Sequence, residues 1–172
     1  GDVIAELTET MAVQFKQDGI TISATLDPSG IPLCAEVDEK GIHRVILNLL
    51  TNAEHAVLER IEKMGAEPPG NITISAKFNE QKDQILVSVS DNGIGIESDR
   101  AATLFDMFNT TKGMGGSGLG LAVSKKIVEA HAGTIYATGQ KDKGCTMTFS
   151  LPVGVEESTT STRTIRKIFR ES

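Results

Sequence analysis

Apolar residues recur at Val3, Ile4, Leu7, Met11 and Phe15 within Asp2–Gln17, the spacing of one helix face, and Asp18-Gly19 ends the run. The alternation from Ile20 to Asp27 then predicts a strand. A turn at Pro28-Ser29-Gly30 and a second short strand around Leu33 to Val37 complete an expected hairpin. Asp38 is placed to cap a long helix that runs to about Met64, with Ile42, Val45, Ile46, Leu49, Leu50, Ala53, Ala56, Val57 and Ile61 on one stripe. The pair Pro68-Pro69 separates this helix from an alternating strand, Ile72 to Phe78. A charged loop, Asn79 to Gln84, leads back through Ile85 to Asp91 as its antiparallel partner. Further on come a short helix near Ser98 to Phe108, a glycine-rich loop, a helix from about Gly118 to Ala130, and strands near Thr134–Thr138 and Cys145–Leu151. Helices and an antiparallel-leaning sheet in this order predict a two-layer α/β sandwich, with a mixed sheet of about five strands and three main helices.

The chain has 172 residues, enough for one domain, and its 39% hydrophobic content can fill a core. The composition changes after Pro152, where a hydroxyl run, Ser158 to Thr162, precedes a basic end with Arg163, Arg166, Lys167 and Arg170. We therefore expect a domain over 1–154 and a tail over 155–172. A net charge of −6 disfavours a phosphate-directed grip on nucleic acid. No apolar run approaches the roughly 20 residues of a membrane span, so a cytoplasmic segment without membrane contact is expected, and an anchor elsewhere in a longer protein stays compatible. Cys34 and Cys145 form neither a disulfide framework nor a zinc pattern.

Three segments carry candidate chemistry. Asn48, Asn52 and His55 fall within roughly 60° of one another on the long helix, beside its apolar stripe. Two amides four residues apart in a Leu-rich helix need partners for their polar groups, within the protein or on a ligand. The strand ending Ser90-Asp91-Asn92-Gly93-Ile94-Gly95-Ile96 places an acid at a strand exit, able to accept from an exocyclic amine, before glycines that permit close backbone approach. The run Gly113-Met114-Gly115-Gly116-Ser117-Gly118-Leu119-Gly120-Leu121 opens a helix, whose free N–H groups and dipole suit phosphate oxygens. Seven of the 17 glycines lie between Gly93 and Gly120, which favours a ligand loop over a packing role. Neither a Walker ending nor a dinucleotide fingerprint is present.

In order and spacing these segments resemble the catalytic, ATP-binding domain of sensor histidine kinases, part of the GHKL superfamily with its Bergerat fold. The resemblance spans about Val3 to Pro152. Asn48-Leu49-Leu50-Thr51-Asn52-Ala53 looks like the N box, and Asp91-Asn92-Gly93-Ile94-Gly95-Ile96 like the first glycine box. Leu104-Phe105-Asp106-Met107-Phe108 looks like the F box, and Gly116-Ser117-Gly118-Leu119-Gly120-Leu121 like the second glycine box. The closing Gly144-Cys145-Thr146-Met147-Thr148-Phe149-Ser150-Leu151-Pro152 resembles the family's last strand, with Cys145 and Met147 departing from its usual Thr and Phe.

The resemblance implies ATP and Mg²⁺ as cofactors. By it Asn52 would ligate Mg²⁺ through its oxygen, a donor this hard cation prefers, and Asn48 would support metal and phosphates. Asp91 would bind the adenine amine, Gly93 and Gly95 would let the base approach, and Thr146 would hold a bridging water. His55 and Lys112 are candidates for phosphate contact, with Gly116, Gly118, Leu119 and Gly120 in the phosphate-side loop. A phosphoacceptor His on a separate dimerisation domain and a downstream response regulator are the implied partners, since His43 and His131 stand in the wrong settings to be acceptors. ATP-hydrolysing relatives carry a general-base Glu where this chain has Asn48, and an amide cannot take a proton from water. Phosphotransfer is thus expected ahead of hydrolysis. An anti-sigma-type protein Ser/Thr kinase and a non-catalytic ATP-dependent sensor or scaffold are the alternatives.

Overall fold

The computed structural model describes residues 3–26, 35, 37–106 and 119–153, without the side chains of 98 and 99. Helix α1 (Val3–Gln17) buries Val3, Ile4, Leu7, Met11 and Phe15, the face its spacing predicts. Gly19, at φ 71°, turns the chain into β1 (Ile20–Leu26). Asp38 caps α2 (Glu39–Met64), its Oδ1 accepting from the Lys40 N–H at 3.1 Å. Nine side chains of α2 are buried, among them Leu49 and Leu50 at 0% exposure. Fully burying each leucine contributes about 1.5–3 kcal/mol. Strands β2 (Gly70–Asn79) and β3 (Gln84–Asp91) follow, then the single turn α3 (Ser98–Ala101), α4 (Gly120–Ala130), β4 (Ile135–Gly139) and β5 (Cys145–Pro152).

The strands form one mixed sheet in the order β1-β2-β3-β5-β4. Strand β1 pairs with β2 in parallel, Ile20 opposite Gly70, and the other pairs are antiparallel. Strand β2 is not the partner the expected hairpin gave β1, and that hairpin's turn, Pro28-Ser29-Gly30, lies outside the described residues. The intervening α2 is the crossover that a parallel pair requires, and Ala35 and Val37, the described part of the expected second strand, belong to no strand. The expected short helix is likewise briefer, with α3 ending at Ala101 and turns following through 105, while Met107 and Phe108 lie outside the described residues.

One sheet face, with Ile72, Ile74, Ala76, Ile85, Val87, Val89, Met147, Phe149 and Leu151, packs under α1, α2 and α4 as the core. The opposite face is built of hydroxyls that pair across strands: Ser23 with Thr73, Ser88 with Thr148 and Ser90 with Thr146. Two buried charged groups on α2 brace the layers. Glu54 accepts from Gln14 of α1 at 2.8 Å, and Arg60 donates to the Pro68 carbonyl at 2.7 Å, pinning the connection into β2.

Candidate functional site

The strand alternation of β3 turns Asp91 toward the helices, and the residues after it form a turn clamped on two sides. The Ile94 N–H donates to the Ala56 carbonyl of α2 at 3.1 Å, and the Asp142 N–H, from the β4–β5 turn, donates to the Ile94 carbonyl at 2.7 Å. Asn92 fixes the third side through its amide, which accepts from the Asn71 N–H at 2.9 Å and donates to the Pro69 carbonyl at 2.8 Å. The two glycines serve this clamp. A Cβ on Gly93 would lie 2.5 Å from the Ala56 carbonyl carbon, and one on Gly95, at φ +70°, would collide with the Gln140 carbonyl. The close approach they permit is between protein backbones, whereas the sequence suggested approach of a base.

Between α2 and this turn lies a cavity of about 540 Å³, within the range of small-molecule sites. It runs along α2 from Asn52 past His55, Ala56 and Glu59 to Lys63 and Met64, about 18 Å at helical rise. Asp91, Cys145 and Met147 line it from the sheet, Ile94, Gly95 and Ile96 from the turn, and Leu104 and Leu121 from beyond. Lys63 pairs with Glu59 at 2.6 Å and Lys141 with Glu97 at 3.1 Å on its rim. These pairs are exposed and add little stability.

Asp91 is the electrostatic centre. Its Oδ1 accepts from the Gly93 N–H at 2.8 Å, while Oδ2 is buried and finds no partner among the described residues. Burial raises the carboxyl from 3.8 to about 6, against the pull of the Gly93 and Cys145 N–H groups; of these only the Gly93 bond has full hydrogen-bond geometry. An unpartnered, desolvated carboxylate oxygen is costly to the fold. It is a ready acceptor for an amine inside the cavity. Burial first, and then the charge of Asp91, pushes the Cys145 thiol up to about 12.

At the other end, Asn52 donates its amide nitrogen back to the Asn48 carbonyl at 2.6 Å, which leaves Oδ1 as the atom able to meet a cation or water in the cavity. Asn48 does not line the cavity. Its Nδ2 reaches the Gly120 carbonyl and Ser124 Oγ, both at 3.1 Å, and so ties α2 to the first turn of α4. Gly120 begins α4, and Leu119 precedes it with its side chain 40% exposed. Asn52, His55, Asp91 and Gly95 are thus brought together around one cavity, Gly93 packs behind it, and Asn48 with Gly120 joins the two helices beside it. Lys112, Gly116 and Gly118 lie outside the described residues.

Thr146 is a correction. It points to the far face of the sheet, its hydroxyl 2.9 Å from Ser90 Oγ, and the strand's cavity-lining residues are its neighbours Cys145 and Met147. Sequence reasoning also passed over Glu59, Lys63, Met64, Lys141 and Asp142. The α2 members of that set were accessible from the helical spacing that continues Asn52–His55–Ala56, but those of the β4–β5 turn become neighbours only through the clamp on Gly95.

The family described as histidine kinase-, DNA gyrase B- and HSP90-like ATPases matches residues 37–155, and the chain belongs to it. Among similar proteins is the sensor histidine kinase WalK of Bacillus subtilis (strain 168), 37% identical over 130 residues, which are 73% of this chain and 20% of that protein. The signal transduction histidine-protein kinase AtoS of Escherichia coli (strain K12) is 34% identical over 154 residues, 90% of this chain and 23% of that protein. The chain therefore spans about a fifth of the length of these curated relatives. The solved catalytic domain of the histidine kinase ThkA superposes with a TM-score of 0.71 at 26% identity, covering 88% of this chain and 90% of that one. Fold and family together make this chain an ATP-binding catalytic domain of the sensor histidine kinase kind. No helix among the described residues is long and apolar enough to cross a membrane.

Proposed function

We propose that this domain binds Mg²⁺-ATP in the cavity along α2 and transfers the γ-phosphoryl group to a histidine on a separate dimerisation domain, for relay to a response regulator. The observation that carries the reading is the buried Oδ2 of Asp91, an acceptor without a donor among the described residues, in the wall of a cavity whose other end holds the Asn52 amide. The adenine amine would supply that donor, and Ile94, Ile96, Leu104, Leu121 and Met147 offer the base an apolar enclosure.

The residues fit Mg²⁺. Asn52 Oδ1 is a hard oxygen donor, and among the described residues no group of three His, Cys, Asp or Glu side chains could cage a metal. The ion would then be shared with phosphate oxygens and water, its common binding mode. When bound, it neutralises charge on the phosphates. The chain's own residues would orient the nucleotide: Asp91 the base, Asn52 the phosphate end, and Asn48, through its bond to the Gly120 carbonyl, the start of α4, whose free N–H groups suit anions. His55, Lys112, Gly116, Gly118 and Leu119 are proposed to complete the phosphate side. Catalysis is positioning and electrostatics, with the nucleophile brought from outside. We assign 1–154 to this domain, 155–172 to a tail, and the work of the domain to the cytoplasmic side, where ATP is found.

Joining the chain to a phosphoacceptor domain with its His should yield acid-labile, base-stable phosphate on that His, and Asn52→Ala should abolish it. Rapid ATP hydrolysis by the chain alone, or stable phosphoserine on a partner, would overturn the assignment.

A further inference from the structure

Cys145 stands directly opposite Asp91 in the β3–β5 register, and the alternation that turns Asp91 into the cavity turns Cys145 the same way. Its thiol is half-buried, free and in the cavity wall. Beside it, the Asp91 carboxylate is nine-tenths buried and keeps Oδ2 unpartnered among the described residues, so a ligand amine drawn to that oxygen is delivered next to the sulfur. We propose that Cys145 is a covalent-capture site in this cavity, one that takes a 6-aminopurine carrying a soft alkylating carbon.

The inference rests on the cavity being the base pocket. In the capture step the thiol loses its proton and the thiolate sulfur displaces chloride from a chloroacetamide carbon. An S–C bond forms, the C–Cl bond breaks, and the thiol proton passes to water. The thiol is held far on the protonated side by burial and by Asp91, so a reagent that arrives by diffusion meets a poor nucleophile. A reagent held by Asp91 gains effective concentration instead, the advantage that orientation gives any bound pair. The resulting thioether fills the base site and excludes ATP.

The test uses the Cys34→Ser variant and three 6-aminopurines with a chloroacetamide arm at C2, C8 or N9, each compared with plain chloroacetamide. Adducts are located by peptide mass spectrometry, with and without ATP and magnesium, and ATP binding is followed by calorimetry. At least one purine should label Cys145 a hundredfold faster than plain chloroacetamide, ATP should suppress labelling at least tenfold, and the adduct should no longer bind ATP. The proposal is overturned if ATP binds and the purines displace it, yet none labels Cys145 faster than plain chloroacetamide or the adduct forms on Lys63 or Lys141. If neither ATP nor any of the purines binds, the base-pocket reading itself fails and the capture site fails with it.

Discussion

Replacing Asp91 by Asn separates what the carboxylate costs the fold from what it gives the ligand. The rise of its titration from 3.8 to about 6 corresponds to at most about 3 kcal/mol of stability, which relaxation around the carboxylate reduces. A raised carboxyl stabilises the native state only while it is protonated. Below the unfolded value both states are neutral and the native state carries no penalty. As pH rises toward 6 the unfolded carboxyl ionises freely while the native one resists, and stability falls until the native group has ionised too. Asn does not titrate. The stability of Asp91→Asn relative to the parent should therefore increase by about 2–3 kcal/mol between pH 4 and pH 8, with most of the change between 4 and 6. The new amide leaves a buried N–H₂ unpartnered, at a cost of about 1–3 kcal/mol. That cost is independent of pH, so it shifts the difference curve without changing its slope. Urea unfolding of both proteins at five pH values, without nucleotide, measures it. Parallel stability curves would show that Oδ2 is not the desolvated group described above. In the same variant ATP and ADP should both weaken by about 10- to 100-fold, the worth of a charged hydrogen bond, because Asp91 reads the base and ignores the γ-phosphate.

Asn52→Ala should weaken ATP binding in magnesium by tenfold or more and leave binding in a chelator nearly unchanged; calorimetry showing equal losses would remove the metal role. Gly95→Ala should cost about 2–5 kcal/mol through backbone strain and collision with the Gln140 carbonyl, and a urea midpoint close to the parent's would refute the clamp. Thr146→Val should keep ATP affinity within twofold while losing about 1 kcal/mol of stability with its Ser90 partner; a tenfold loss of ATP would return Thr146 to the site.

Legibility followed the kind of periodicity involved. The stripe on α2 and the cap at Asp38 were readable because helix spacing and capping are local, and both match the structure. The strands with clear alternation, such as Ile72 to Phe78, were readable for the same reason, but the expected strand around Leu33 to Val37 was not borne out at Ala35 and Val37, and the partner of β1 was not readable. A turn signal at Pro28-Ser29-Gly30 suggested a hairpin, while β1 in fact pairs in parallel with β2, more than 40 positions on. That choice is made by the tertiary fit of α2 across the sheet.

The site shows the same division at finer grain. An error of one position on a helix rotates a side chain by about 100°, and a neighbouring residue still borders the same groove. On a strand the same error sends the side chain to the other face. Asn52 and His55 therefore survive as cavity residues on helical reasoning alone, whereas the difference between Thr146 and Cys145 is decided only by register with Asp91. Glycines invert the usual inference as well. Their concentration pointed to a ligand, but Gly93 and Gly95 are small because α2 and the β4–β5 turn press on them. That pressure is what gives the cavity a rigid base end, because the turn that follows Asp91 is clamped by Ala56, Asn92 and Asp142. The penalty of an unpartnered carboxylate is sustained by the surrounding packing, and an amine entering the cavity recovers it as binding free energy.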